Sequence, residues 1–284
     1  CSLVGSEMCI RDSKKETTFM NIHHIRNATA ILDYGGKKFL IDPMLAEKGT
    51  LPPFISKGPF PSPRKDQMNP LVDLPMPVED IINGIDAVIV THLHLDHWDD
   101  IAKEVLPKEI KLFVQDENDA NEIRLYGFKN VEVLREDTVF ESIQLVKTKG
   151  KHGRGEILNY VGNVCGIVFK HSTEKTLYFT GDTVWYEAVK QTIDQYKPEI
   201  IVANAGDNHF LVGESLIMGK DDLYELHKAI PDSTIIAVHM EAVNHWGLSR
   251  EELKSFNKEK GISEKVLVPE DGDNIFCLLY TSPS

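Results

Sequence analysis

Short apolar runs rich in Val and Ile recur along this chain, and they alternate with stretches whose apolar residues fall at helical spacing. The runs read as buried strands, the stretches between them as amphipathic helices. Strands are expected over residues 21–26, 28–34 and 37–41, with Gly35 and Gly36 turning the second into the third. Residues 86–91, 111–114, 131–134 and 138–148 continue the strand series, with helices over 99–105 and 118–126, the latter ended by Gly127. In the second half, 161–171 and 176–179 form a hairpin. A helix over 184–196 carries Val184, Ala188 and Ile193, and Pro198 leads into a strand over 199–203. A helix over 221–229, a strand over 233–238, a helix opened by Ser249 with Glu252 three residues on, and a strand over 265–268 complete the series. Two β-rich halves with interspersed helices predict an α/β (α+β) domain in which two sheets pack face to face under helical layers.

One stretch breaks the alternation. Residues 46–77 are rich in Pro and Gly and carry Phe54 and Phe60 without either periodicity. A structureless segment of that length in a compact domain is either a functional lid or a surface insertion, and both readings stand.

The formal net charge is −13. An acidic surface argues against non-specific nucleic-acid binding, yet a small anion held by local cations such as Arg154 or Lys220 is compatible with it. No apolar run approaches membrane-spanning length, so no membrane partner is expected. Three of the four cysteines, Cys1, Cys9 and Cys277, lie at the ends, and both ends look foreign. Residues 277–284 back-translate as TGT CTC TTA TAC ACA TCT CCG AGC. The reverse complement, in a shifted frame, encodes Ser-Glu-Met-Cys-Ile-Arg-Asp, which is residues 6–12. Unrelated protein ends are not expected to be reverse complements, and the DNA resembles a sequencing-library adapter. Residues 1–13 and 277–284 are therefore expected to be assembly artefacts, leaving one domain over 14–276. Cys165 alone then remains, which argues against a disulfide framework and for a reducing compartment, the cytoplasm.

The chemistry is concentrated in residues 91–97, directly after the apolar run Ala87–Val90. In an extended segment His92, His94 and Asp96 project to one side, and His97 points elsewhere. Neutral imidazole and carboxylate suit zinc, manganese or iron, and two neighbouring ligand sets suggest two ions. The plain alternative is a solvated histidine-rich loop. Ligand types, spacing and the strand-end position together favour the metal.

The pattern His92-x-His94-x-Asp96-His97 resembles the signature of the metallo-β-lactamase superfamily. Residues 28–30, the Gly35-Gly36 turn and residues 40–43 are similar to the opening hairpins of one branch. That branch includes ascorbate-6-phosphate lactonase and many uncharacterised hydrolases. The resemblance implies a four-layered αββα sandwich and a binuclear centre. His92, His94 and His152 would hold one ion, Asp96, His97 and His239 the other, and Asp182 would bridge them. His152 sits in an exposed turn after a strand, with His171 at a polar hairpin turn as its rival. Asp182 lies before a helix, where an aspartate is otherwise a plain cap. His239 ends an apolar strand, and its rival His245 either supports a ligand or faces substrate. Of His23 and His24, alternation buries only one, and His227 belongs to a helix surface.

Two divalent ions, zinc by default with manganese or iron also fitting, lower the pKa of a shared water. The hydroxide attacks a carbonyl or phosphoryl centre, while Asp96 orients it and shuttles its proton. Some relatives use one ion. Asp207, His209 and His245 are the candidate substrate contacts. The first two lie in the loop 204–209 after a strand, which read plainly is an ordinary polar turn. The expected function is a metal-dependent hydrolase of a small-molecule ester, lactone or amide. A phosphodiesterase or nuclease of the same superfamily is the second reading, without an evident basic groove. A non-catalytic binding protein on the same scaffold is the third, and the intact ligand set speaks against it. The expected partner is a small-molecule substrate, with no nucleic acid and no membrane; homo-oligomerisation stays open.

Overall fold

The computed structural model describes residues 20–277. The first half contributes β1 (Met20–Arg26), β2 (Thr29–Tyr34), β3 (Lys37–Ile41), β4 (Ala87–Val90), β5 (Lys111–Val114) and β6 (Asn130–Val133). Helices α1 (Val78–Ile82), α2 (Asp100–Val105) and α3 (Glu117–Leu125) lie in its connections. The second half contributes β7 (Thr138–Phe140), β8 (Ile143–Lys149), β9 (Cys165–Lys170), β10 (Leu177–Phe179), β11 (Ile200–Asn204), β12 (Thr234–Val238) and β13 (Val266–Leu267). Its helices are α4 (Leu158–Val161), α5 (Glu187–Tyr196), α6 (Lys220–Ala229) and α7 (Arg250–Lys260). A last strand, β14 (Asn274–Cys277), returns to the first sheet beside β1. Two seven-stranded sheets result, ordered β14-β1-β2-β3-β4-β5-β6 and β13-β12-β11-β10-β9-β8-β7. Each sheet has an antiparallel half and a parallel half: β3 to β6 run parallel in one, β10 to β13 in the other. Parallel neighbours need crossovers, which is where the helices sit.

Alternation along the strands sorts side chains into three apolar layers. In β4, Ala87 and Ile89 face the space between the sheets, while Val88 and Val90 face outward onto Ile81, Trp98, Ala102 and Ile123. In β12, Ile236 and Val238 face inward, while Ile235 and Ala237 meet Val189, Leu223, Leu226 and Leu253 of the helices beyond. Helix, sheet, sheet, helix is thus the order of layers, the four-layered αββα sandwich expected. Caps fall where the polar residues stand. Asp99 accepts from the Ala102 N–H at the start of α2, and Ser249 and Glu252 form a capping box on α7.

Several boundaries differ from the sequence reading. Residues 138–148 are a hairpin, not one strand, because Glu141 turns the chain through a left-handed conformation at φ 55°. The strand expected over 161–171 starts only at Cys165, after Gly162 (φ 78°) closes α4. The helix expected from residue 184 starts at Glu187. The preceding residues are tied elsewhere, with the Val184 N–H donating to Lys151 O (3.0 Å) and the Trp185 N–H to Asp222 Oδ2 (3.2 Å), and Tyr186 is extended. The buried stripe of α5 is accordingly Val189, Thr192 and Ile193. The short α1 and the edge strand β14 had no counterpart in the pattern. Residues 1–13 and 278–284, which carry the expectation of foreign ends, lie outside the described residues, as do 14–19; Cys277, also expected to be foreign, closes β14 opposite Met20. Among the described residues no helix is long and apolar enough to cross a membrane.

The stretch 46–77 has almost no regular structure, with one isolated bridge between Leu51 and Asn69, but it is not loose. Asn244 accepts from the Phe54 N–H (3.0 Å) and from Asn69 Nδ2 (3.1 Å), and donates through Nδ2 to Phe54 O and Pro63 O. Arg64 donates to Asn244 O and Trp246 O and lies 4.2 Å over the Trp246 ring. Phe54 packs on Met44, Ala242 and Val243, and Phe60 on Ile157, Val161 and Phe210. The segment is a pinned roof rather than a bare surface insertion.

Candidate metal centre

The polar residues of interest all follow the carboxyl ends of strands. Residues 91–97 follow β4, His152 follows β8, Asp182 follows β10, and His239 follows β12. Sites in α/β sheets form at that end, because backbone leaves the sheet there and side chains are free to converge. The two sheets turn these ends to the same place, so ligands far apart in sequence meet.

His92 Nε2 lies 3.0 Å from His94 Nδ1, which lies 3.3 Å from His152 Nε2. His239 Nε2 lies 3.2 Å from His97 Nε2 and 3.3 Å from Asp96 Oδ2. Asp182 stands between the sets. Its Oδ2 is 3.3 Å from His97 Nε2, 3.6 Å from His152 Nε2 and 4.0 Å from His92 Nε2, and its Oδ1 is 3.6 Å from His239 Nε2. Three overlapping groups, His92/His94/His152, His92/His97/Asp182 and Asp96/His97/His239, each keep their ligand atoms within 4.8 Å of one another. A tetrahedral ion with bonds of about 2.0–2.1 Å needs ligand atoms roughly 3.4 Å apart. The donor set therefore fits divalent ions in both type and spacing. His239 is in the cluster; its rival His245 is not. His152, expected in an exposed turn, is 4 % exposed, because its Nδ1 bonds Leu216 O (3.2 Å) beneath the loop before α6. His171 stays at the hairpin turn with Ser142 and Thr173. Of the paired histidines on β1, His24 is buried and His23 half-buried.

Groups that the sequence reading passed over aim these ligands. Asp42, just past β3, accepts from the Thr91 N–H and Oγ1 (2.7 Å each) and faces His97 Nδ1 at 2.8 Å. Asn204, at the end of β11, donates from Nδ2 to Asp182 Oδ1 (2.6 Å). Asn27 donates from Nδ2 to Asp96 O (3.1 Å), and its own carbonyl accepts from the His239 N–H (2.8 Å). Asn27, Asp42 and His239 all adopt left-handed backbone, at φ 57°, 44° and 62°. That conformation is uncommon outside glycine and is held here by these hydrogen bonds. Gly206 must be glycine for a neighbouring reason: a Cβ there would stand 2.1 Å from His239 O. The signal for Asp42 was present, a lone carboxylate ending the strand next to the one that carries the histidines.

Burial is the first influence on the charges of His92, His94, Asp96, His97, His152 and Asp182. It holds His92 well below the ordinary imidazole range, aided by His97 and His94, and holds His94 down to about 4. His152 is lowered for the same reason. Burial opposes charge on His97 too, but attraction by Asp182, Asp42 and Asp96 outweighs it and holds that ring well above its usual range. Burial likewise opposes charge on Asp96 and Asp182, yet His97 and His239 keep both well below the usual carboxylate range. The centre thus offers ionised carboxylates beside mostly neutral imidazoles, the forms that bind metal.

Beside the centre lies a cavity of about 430 Å³, floored by His94, Asp96, His152 and Asp182. Its walls are largely apolar, with Phe54, Ile55, Leu93, Tyr160, Phe210 and Leu216 among them. His245 lines it, buried and held down to about 4 by desolvation. Asp207 and His209, two of the three expected substrate contacts, are not among its lining residues. Asp207 sits at φ 47° and bonds Ser215, and His209 Nδ1 turns back to Asp207 O (2.6 Å). Their turn presents the next residue, Phe210, to the cavity instead. Arg154 is taken up by two 2.8 Å contacts with Asp222, and Lys220 opens α6 near the Phe256 ring.

Fold and site together define a metallo-β-lactamase-type hydrolase. Residues 37–240 match the model of the beta-lactamase superfamily domain. The chain is 64 % identical over 257 residues to the UPF0173 protein YddR of Bacillus subtilis, covering 90 % of this chain and 99 % of that one. It is 24 % identical over 247 residues to a UPF0173 metal-dependent hydrolase of Pyrococcus furiosus, covering 85 % and 92 %. Among solved structures it is similar to the isothiocyanate hydrolase from Delia radicum gut bacteria, with TM-score 0.85, 44 % identity and coverage of 90 % and 98 %. A possible metal-dependent hydrolase from Veillonella parvula gives TM-score 0.87, 38 % identity and coverage of 91 % and 100 %. The chain belongs to the UPF0173 family of metal-dependent hydrolases within the beta-lactamase superfamily.

Proposed function

We propose that this chain hydrolyses a small, uncharged and largely apolar molecule at an electrophilic carbon. The carbon is either the carbonyl of an ester, lactone or amide, or the central carbon of an isothiocyanate. The observation that carries the reading is the cavity: reactive carboxylates and imidazoles form its floor, while most of its wall is apolar. Among the described residues lining it, Lys57 is the one lysine or arginine, and it is exposed. A phosphodiester, whose charge needs compensation, is poorly served there. The isothiocyanate alternative is supported by the 44 % identical structural relative named for that activity.

Two divalent ions are proposed, zinc by default, with His92, His94 and His152 holding one and Asp96, His97 and His239 the other, Asp182 lying between. When bound they supply Lewis acidity and a water of lowered pKa. Asp96 takes the proton of the attacking water and returns it to the leaving oxygen or nitrogen. For an isothiocyanate the balance is R–N=C=S + H2O giving R–NH2 + COS, so nitrogen must receive both protons of that water. Asp42 and Asn204 keep His97 and Asp182 oriented, and the roof formed by residues 46–77 excludes bulk water. A reducing cytoplasm is the proposed setting, Cys165 being free and buried.

The test is a panel of alkyl and aryl isothiocyanates, a γ-lactone, an aryl acetate, an anilide and a bis-aryl phosphate, offered to metal-loaded protein. Turnover of an uncharged member, lost with chelator and restored by metal, is expected. Preference for the phosphodiester, or turnover indifferent to chelation, would overturn the reading.

A further inference from the structure

The connection between β11 and α6 starts at the metal centre, where Asn204 touches Asp182, and comes back to it at Leu216, beside His152. Between them it forms a loop from Asp207 to Gly219. The tip, residues 211–214, is exposed, while Leu216, Ile217 and Met218 are buried again. The two arms of the loop are tied across its neck. The Asp207 N–H donates to Met218 O (3.0 Å), and the Leu216 N–H donates to Asn208 O (2.7 Å). Side chains add a third tie, in which Ser215 Oγ donates to Asp207 Oδ1. The carboxylate sits in a close seat, since a Cβ on Gly219 would stand 3.0 Å from Asp207 Cγ. Asp207 itself is held at φ 47°, an uncommon backbone for a residue other than glycine.

Leu216, next to Ser215, serves the site twice. Its carbonyl oxygen lies 3.2 Å from His152 Nδ1, and its side chain belongs to the cavity wall. A carbonyl only accepts, so His152 carries its proton on Nδ1 and turns Nε2 toward the centre. Nε2 is the nitrogen 3.3 Å from His94 Nδ1 and 3.6 Å from Asp182 Oδ2. The loop also rests on the turn that follows this histidine. Gly153 has φ 114°, and a Cβ there would come within 3.4 Å of Leu216 Cδ2 and 3.5 Å of Ser215 O. His97 and Asp182 are braced by side chains, those of Asp42 and Asn204. The brace on His152 is a backbone carbonyl, which is placed only as well as the loop that carries it.

Resting on the metal reading above, we propose that Asp207 is a positioning residue for His152. By accepting from the Ser215 hydroxyl, its carboxylate closes the neck of the loop and sets Leu216 O against the imidazole. It acts through Leu216 and not by contact with the ion. One tie thereby fixes a metal ligand together with a piece of the apolar wall.

Zinc affinity of the full-length protein, read by chelator competition, tests this without turnover. Asp207→Gly keeps the left-handed backbone and removes the carboxylate, and Ser215→Ala removes the donor from the other arm. Each should weaken zinc by about tenfold, the lower end of the loss expected behind a metal-bound histidine. The double variant should lose about as much as either single one, because both break the same bond. Asp207→Asn tolerates the same backbone, keeps an oxygen for Ser215 and should stay within about twofold of the wild type. Ser215→Ala, the milder change, carries the test if D207G does not fold. The second readout is spectroscopic. In the zinc form the His152 Nδ1–H, assigned by its absence from His152→Ala, should exchange with water faster in D207G and S215A than in the wild type. Zinc affinity unmoved in the single variants, even with a lowered melting temperature, overturns the proposal, as do losses that multiply in the double variant or a His152 protonated on Nε2. His152→Ala separates the two readings. If it binds zinc as tightly as the wild type, the metal reading falls and the proposal with it; if it weakens zinc while D207G and S215A do not, the proposal alone falls.

Discussion

Asp42 Oδ2 stands 2.8 Å from His97 Nδ1, and both side chains are almost wholly buried. The contact sits on the opposite side of the imidazole from Asp96, Asp182 and His239, so it fixes the tautomer and leaves Nε2 facing the centre. Two donations from Thr91 hold the carboxylate in place. Replacing Asp42 by Asn or Ala should weaken metal binding by about 10- to 100-fold. Competition with a graded chelator measures it, and an unchanged affinity would show that His97 needs no such support.

Asp182 reaches both ligand sets with its two oxygens. Asp182→Ala should therefore cost metal content and hydrolysis together, turnover falling by about 100-fold or more. Metal per chain and turnover are read on the same preparation. Full occupancy with intact hydrolysis would mean that Asp182 is only a brace for Asn204.

The roof over the pocket hangs on Asn244, whose side chain serves Phe54, Pro63 and Asn69. Asn244→Ala leaves several buried partners unsatisfied and should destabilise by about 2–4 kcal/mol. Deleting residues 51–66 should do more harm than clipping a lid, since Phe54 and Phe60 belong to packed clusters. Thermal melts of the metal-loaded forms decide the matter: a wild-type melting temperature in the deletion would restore the picture of a free lid.

Burial holds His245 down to about 4 in the native protein, below the ordinary imidazole value of about 6.5. Between those values the unfolded chain binds the proton and the native one does not, so stability falls as pH drops through that window. The contribution is at most about 3 kcal/mol, and it is absent from H245F. His94, also held to about 4, adds the same trend to both proteins, so the informative quantity is their difference. Urea midpoints of metal-free protein at pH 7, 5 and 4 should converge toward H245F at neutral pH and diverge in acid. Parallel midpoints would mean that His245 titrates normally.

The clustering of the seven candidate ligands was legible because strand ends, ligand chemistry and a known motif coincided at them. The burial of His152 was not, because it depends on Leu216, 64 positions away. The placement of Asp207 and His209 off the cavity wall was not legible for a related reason. Sequence places them at a strand end, but the left-handed turn at Asp207 decides which neighbour faces the cavity, and that neighbour is Phe210. The layers followed from alternation alone, as Val88 and Ile89 show by facing opposite cores. The start of α5 did not, since hydrogen bonds to Lys151 and Asp222 tie residues 184 and 185 outside the helix. The roof was legible as irregular; that it was fixed depended on Asn244, far along the chain.

His97 and His239 come within 3.2 Å of each other although 142 positions separate them. As the chain leaves a ribosome, residues 92–97 emerge early and wait with half a coordination shell. His152 and Asp182 follow from the second half, and the set is complete only after β12 has been made and both sheets have closed on each other. Long-range closure of this kind comes late, because the entropy of the intervening chain must be overcome first. An ion held by the completed set would act as a clasp between the two halves. A chain cut short before residue 239 lacks one of its fastenings.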